Sequence, residues 1–275
     1  MTNAIWSALL SLGKSATLLV TLLVSLSTCR PETPERPPGI ALSFDDRFIE
    51  EWYKLRPIFR KYNARVTFYI TQFDSLSSVE IAQLKTLQQD GHEIGCHGAI
   101  HTNSVNFVRQ NSIQQYLKVE INPALRAMKQ HGFRPTSFAH PGGAHNSAID
   151  RELLNYFVLL RDVALLERTI WGITLRWNIR FIPSIYHQSD GDQTVDALLF
   201  DEGAGVDLED LKMGMRKAKE DGSILMLFGH KPYQRTIKPG GYGFLTGRLD
   251  SILAESNRLG LKTYTMSALV RRTNR

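Results

Sequence analysis

From Gly39 onward the chain alternates short runs rich in β-branched and aromatic residues with longer segments whose apolar positions recur at helical spacing. Helices placed between short strands point to parallel pairing, because a parallel pair needs a long crossover and a helix is the usual one. The strand candidates are "IALSF", "RVTFYI", "HEIGCH", "TSFAH", "YFVLLR", "SILMLFGH" and "KTYTM". Between them lie the helical candidates "EEWYKLRPIFRKYN", distorted at Pro57, and "SVEIAQLKTLQQDG", with Ser at its start and Gly91 at its end. "SIQQYLKVEINPALRAMKQHG" follows, kinked before Pro123, then a helix around Ala148 to Asn155, "VDLEDLKMGMRKAKEDG" and "RLDSILAESNRLG". This pattern predicts an α/β fold, a complete or incomplete (β/α) barrel of parallel strands with crossover helices. A doubly wound open sheet is the alternative. The alternation is weakest from Leu165 to Gly205.

Four of these strands run into reactive groups. "IALSF" leads to Asp45 and Asp46, "HEIGC" to His97 and His101, "TSFA" to His140, Pro141, Gly142 and Gly143, and "ILMLFG" to His230. In parallel α/β folds the C-terminal strand ends converge on one face, and sites are built there. Two adjacent carboxylates repel, so a cation among them is expected. In "HGAIH" the imidazoles stand four residues apart, which on a helical turn aims both rings at one point. With one carboxylate they would make a three-ligand site for zinc or a neighbouring transition metal, leaving positions for water and substrate. Each piece alone is weakly informative; the combination, each at a strand end and in this order, is much more specific.

With those motifs in view, the sequence resembles the polysaccharide deacetylases of carbohydrate esterase family 4. That family shares a homology domain with rhizobial chitooligosaccharide deacetylase. The resemblance runs from about Gly39 to the C-terminus through "SFDD", "HGAIH", "FAHPGG" and "LFGH". It implies a distorted (β/α) barrel and a divalent metal, zinc with cobalt or nickel as alternatives. It further implies Asp45 as general base, Asp46, His97 and His101 as metal ligands, and His230 as general acid. The oxyanion donor would be the Gly142 N–H, just after Pro141, with His140 beside the substrate. The implied substrate is a polysaccharide or oligosaccharide carrying N-acetylated sugars.

Several positions depart from the family pattern. Ala139 stands where the third motif often has the Arg that orients the base, as in a branch of the family with Ala-Tyr-Pro there, and His140 replaces the aromatic. Arg161, ending "YFVLLR", is the candidate to take over that role. Gly98 stands where Ser or Thr commonly follows the first His, and the fourth motif has only Asp162, Trp171 and Trp177 as candidates. His92 and His131 read as surface or capping residues, and Cys96 as a small buried hydrophobe. His140 and His145 fall near the site, while His187 is balanced between structure and substrate contact. Trp171, Trp177 and Tyr186 read as core before sugar-stacking rings. "PGGYGFLTG" lacks phosphate-loop spacing and reads as a flexible loop beside the site.

The N-terminus carries a separate message. Lys14 is the only charge before Cys29, and "SATLLVTLLVSLS" has the length of a signal-peptide apolar region rather than a membrane span. "LSTC" resembles a bacterial lipoprotein processing site, with Thr28 in the place of the usual smaller residue. Residues 1–28 are therefore expected to be an export signal, with Cys29 lipidated. "RPETPERPP" is a tether over 29–38, and 39–275 is the catalytic domain. Export to the cell envelope with a membrane anchor follows. With 33 Lys+Arg against 27 Asp+Glu and no dense basic block, no nucleic-acid partner is expected. The leading function is removal of N-acetyl groups from an envelope or extracellular polysaccharide. The alternatives are a catalytically silent glycan-binding lipoprotein and a deacylase of a small amide. A bimetallic phosphoesterase would want more strand-end carboxylates than are present.

Overall fold

The computed structural model describes residues 36–188, 191–238 and 241–270, so the apolar leader and Cys29 lie outside the described residues. Five parallel strands come first: β1 (Gly39–Asp46), β2 (Thr67–Ile70), β3 (Glu93–Cys96), β4 (Ser137–Ala139) and β5 (Leu159–Ala164). After them come β6 (Glu167–Ile170), β7 (Ile173–Arg176), β8 (Tyr186–His187), β9 (Thr194–Leu199) and β10 (Ile224–Gly229). The last three are β11 (Pro232–Tyr233), β12 (Phe244–Leu245) and β13 (Lys262–Tyr264). Strands β1-β2-β3-β4-β5-β9-β10 pair in that order, and β10 closes on β1 to complete a seven-stranded parallel ring. The fold is thus the predicted (β/α) barrel, and the open-sheet alternative is excluded. Distortion enters where β13 takes the flank of β1 at Gly39–Ala41, while β2 pairs with β1 only from Ser43 on. A glycine is required at position 39, since a Cβ there would lie 2.3 Å from the Lys262 carbonyl oxygen.

Strand periodicity sorts the core into two layers. Ile40, Leu42, Phe44, Leu225 and Leu227 point outward into the large layer beneath the helices. Ala41, Tyr69, Ala139, Met226 and Phe228 point inward, and Met266 and Leu269 join them. By the same alternation Ser43, Asp45 and Arg161 belong to the interior, and all three are buried.

The helices differ from the sequence reading in instructive ways. The first is two short helices, Ile49–Tyr53 and Arg56–Lys61, because Pro57 fits the first turn of a helix but not its interior. Ser104–Gln110, capped by Asn103, is an additional helix in a segment to which the sequence reading assigned no element. Before Pro123 the chain widens into a π-helical turn at Leu117–Ile121, which is how it accommodates the expected kink. Helix Ser78–Gln89 has a full capping box between Ser77 and Glu80.

The weakest stretch of the sequence conceals the barrel strand β9 and an antiparallel hairpin, β6–β7. Trp171 is 98% exposed at the tip of that hairpin and Trp177 is 38% exposed, so neither is core; Tyr186 is buried. His92 is a core residue rather than a surface one. Its ring meets Phe59 and Phe68 edge-on and accepts the Val66 N–H, and burial pulls its pKa down to about 4. Cys96 is buried as expected, which pushes its thiol up to about 12. Among the described residues no helix is long and apolar enough to cross a membrane.

Candidate active site

A cavity of 310 Å³ opens at the C-terminal ends of the barrel strands. Asp45, Asp46, His97, His101, His140, Gly142 and His230 line it, together with Gly143, Val163, Phe228 and Tyr242. Consecutive residues of a strand face opposite ways, yet both carboxylates of the "DD" pair reach this cavity. The reason is Asp46, whose φ of +87° breaks the pleat at the strand end. Non-glycine residues seldom hold a positive φ.

Three ligand-capable atoms converge here. His97 Nε2 and His101 Nε2 are 3.2 Å apart, and Asp46 Oδ1 lies 3.7 Å from the first and 3.4 Å from the second. Donors about 2.0–2.1 Å from a tetrahedral ion stand roughly 3.3–3.4 Å from one another, so the set fits a transition metal. His97 Nδ1–H donates to the Ala139 carbonyl at 2.8 Å, which leaves its Nε2 lone pair facing Asp46 and His101. Burial, the main influence, lowers the His97 pKa to about 4 and keeps the ring neutral. Tyr242 Oη donates to Asp46 Oδ2 at 2.8 Å.

The segment joining the two imidazoles is a tight loop rather than the expected helical turn, with φ of +82° at Gly98 and +60° at His101. Glu120, from the π-helical turn, shapes it. Its buried carboxylate accepts the N–H groups of Ile100 and Thr102, and its own carbonyl accepts the Ala99 N–H. A Cβ at position 98 would stand 1.9 Å from Glu120 Oε1, so glycine there is the counterpart of this carboxylate. The departure from Ser or Thr after His97 thus has a local physical cause.

Asp45 is 2% exposed. Its Oδ2 is gripped by Arg161 Nη2, while Oδ1 is buried without a hydrogen-bond partner. Burial would raise the Asp45 pKa, but the Arg161 guanidinium, with His97 and His230, brings it below the usual carboxylate value. Arg161 is itself fully buried between the Phe228 and Tyr69 rings, 4.5 and 5.4 Å from its guanidinium carbon. In the β4–β5 register Arg161 pairs with Ala139. The guanidinium missing from the third motif is therefore supplied from the neighbouring strand, at the same level of the barrel.

His230 depends on a residue that the sequence reading did not single out. Asp201, just after β9, accepts the His230 N–H at 3.0 Å and the Nδ1–H at 2.6 Å. The ring's other nitrogen, Nε2, is thereby the one free to exchange a proton. Burial works against the imidazolium, but Asp201 and the site carboxylates outweigh it, and the His230 pKa is raised. Trp52 Nε1–H donates to the His230 carbonyl at 2.9 Å. The signal was present in "LLFDE", an apolar run ending in an acid as "LSFDD" does.

Other candidates fall elsewhere. Asp162 pairs with His145 rather than with His230, so Asp201 stands where the fourth motif was sought. Trp171, Trp177 and His187 do not line the cavity. Tyr242, from the glycine-rich loop expected beside the site, does.

The parallel barrel thus gathers, at its strand ends, histidine and carboxylate side chains that could hold a metal ion. The family model described as polysaccharide deacetylase matches residues 32–157 of this chain. No sequence among curated proteins matches. Among solved structures, a mutant of the peptidoglycan deacetylase PdaC from Bacillus subtilis is similar at 18% identity and a TM-score of 0.51, over 86% of this chain and 92% of that one. The chitin deacetylase from Colletotrichum lindemuthianum is similar at 12% identity and a TM-score of 0.57, over 87% and 91%. A family 4 pseudoenzyme from Bacillus anthracis is similar at 12% identity and a TM-score of 0.52, over 86% and 66%. At these identities the shared property is the fold.

Proposed function

We propose that this protein is a metal-dependent hydrolase that removes N-acetyl groups from an envelope or extracellular polysaccharide. One observation carries the reading: three metal-type donors converge beside a buried acid whose one oxygen is tied to Arg161 and whose other has no partner. Asp46, His97 and His101 would hold zinc, or cobalt or nickel in its place. When bound, such an ion polarises the acyl carbonyl and acidifies a water molecule.

The chain's own residues do the rest. Asp45 Oδ1 takes the proton of the attacking water, and the Arg161 charge keeps that carboxylate ionised until then. The backbone N–H of Gly142, in the loop after β4, supplies the donor for the developing oxyanion. His230 Nε2–H delivers a proton to the amine nitrogen, which leaves poorly as an anion. Water is consumed, the amide C–N bond breaks, and acetate and a free amino sugar leave. The apolar leader and Cys29 support export and lipid anchoring of the domain at the envelope.

The purified protein, loaded with zinc or cobalt and given an N-acetylglucosamine oligomer, should release acetate, and His101→Ala should abolish the release. Failure of the metal-loaded protein to cleave any amide or ester overturns catalysis. Glycan binding that persists in Asp45→Asn without turnover in either form would identify a silent binding protein. Cleavage restricted to monomeric amides would identify a small-molecule deacylase.

A further inference from the structure

A second group of ligand-type side chains stands behind the loop that carries Gly142. His140 follows β4, His145 lies farther along the loop, Asp150 is in helix Ser147–Leu153, and Asp162 is in β5. His140, His145 and Asp150 each offer one donor atom, and these donors lie within 4.8 Å of one another. They share no residue with the Asp46, His97 and His101 set.

We propose that His140, His145 and Asp150 bind a second divalent transition metal, of the zinc type, which fixes the Gly142 loop to the barrel. His140 Nε2 is 3.3 Å from Asp150 Oδ1, close to the edge of a tetrahedron of zinc ligands, and His145 Nδ1 is 2.8 Å from Asp150 Oδ2. His145 Nε2 meets Asp162, so the imidazole has its Nδ1 toward the proposed ion and its Nε2–H on a carboxylate. Metal-bound histidines are oriented in this way by an outer carboxylate.

The second observation is the set of partnerless atoms. His140 is 1% exposed and neither ring nitrogen makes a well-aligned hydrogen bond: Nε2 only faces Asp150 Oδ1 at 3.3 Å, and Nδ1 and Asp162 Oδ1 are buried without a hydrogen-bond partner. A proton shared by His145 between the two acids would satisfy that imidazole, but would leave His140 orphaned and one carboxylate charge uncompensated. Two carboxylates with two neutral imidazoles balance a doubly charged ion. Buried polar groups left without partners are costly, and the ion would take up two of these atoms, His140 Nε2 and Asp150 Oδ1. His145 is only partly buried and gives the ion a way in.

Metal content separates this site from the first. After zinc loading and exhaustive dialysis, elemental analysis should find two zinc ions per chain in the natural protein and one in His101→Ala. The cobalt form of His101→Ala should keep visible d–d bands of tetrahedral character. His145→Gln should lose one zinc, and Asp162→Asn should bind its second zinc about 10- to 100-fold more weakly. One zinc in the natural protein and none in His101→Ala overturns the proposal. That count decides the matter even if His145→Gln fails to fold, and it needs no catalytic assay.

Discussion

The two walls of the pocket are built on different principles. One wall, from β1 and β3, holds Asp45, Asp46, His97 and His101 within short motifs. The opposite wall, from β5, β9 and β10, brings in Arg161 and His230, with Asp201 behind the imidazole. The first wall provides the groups that would meet metal and water. The second sets the charge of Asp45 through Arg161 and carries His230 with its own counter-charge, Asp201, each partner coming from more than twenty residues away. The first wall therefore comes from two short motifs, while His230, Arg161 and Asp201 join it only through barrel closure.

The largest expected effect comes from removing the tuning charge at Asp45. Arg161→Met leaves a buried carboxylate unpaired and should cost about 3–5 kcal/mol of stability, read by urea unfolding near neutral pH. Because the Asp45 pKa is lowered in the fold, this stabilisation is present above the unfolded value of 3.8 and fades as pH falls through the folded one. The variant's deficit should shrink in acid, and the acid limb of kcat/KM should move to higher pH. An unchanged acid limb would break the assignment of the second wall.

Asp201→Asn comes next, with an activity loss of about 10²-fold, the lower end for a general acid. Asp201 raises the His230 pKa, so the stabilisation it gives is complete below the unfolded value of 6.5 and lost as pH rises through the folded one. The alkaline limb should therefore move to lower pH with the acid limb unmoved. Movement of both limbs would show that the two tuning pairs are not separate.

Smaller effects are expected where the first wall is only supported. Glu120→Gln and Gly98→Ala disturb the loop between the imidazoles and should weaken zinc binding at that site about 10- to 100-fold, measured by competition with a chelator. Tyr242→Phe removes one hydrogen bond to Asp46, worth about 1 kcal/mol, and should weaken it about fivefold. A Tyr242 effect as large as that of Glu120 would mean that the rim, not the loop, shapes the ligand set.

The legible part of the molecule was the part with a local signal. Strand β1 announces itself as an apolar run ending in Asp45 and Asp46, and β10 does so through "ILMLFG" before His230. Strand β9 was not read, because "TVDALL" sits among turns and a hairpin that blur its period, and Asp201 was lost with it. The loop geometry at His97 to His101 was also misread. Spacing alone cannot distinguish a helical turn from a loop bent by Glu120, which lies in a different helix.

By itself the sequence determined the order of most elements, the barrel class and most of the residues that stand at the strand ends, because hydrophobic period and turn chemistry act over a few neighbouring positions. Only the tertiary structure decided which charges meet. Arg161 faces Asp45 because their strands point inward across one closed ring, and His145 lies between Asp150 and Asp162 because a loop folds back on β5. Such meetings depend on strand register and closure, which no local stretch of chain encodes.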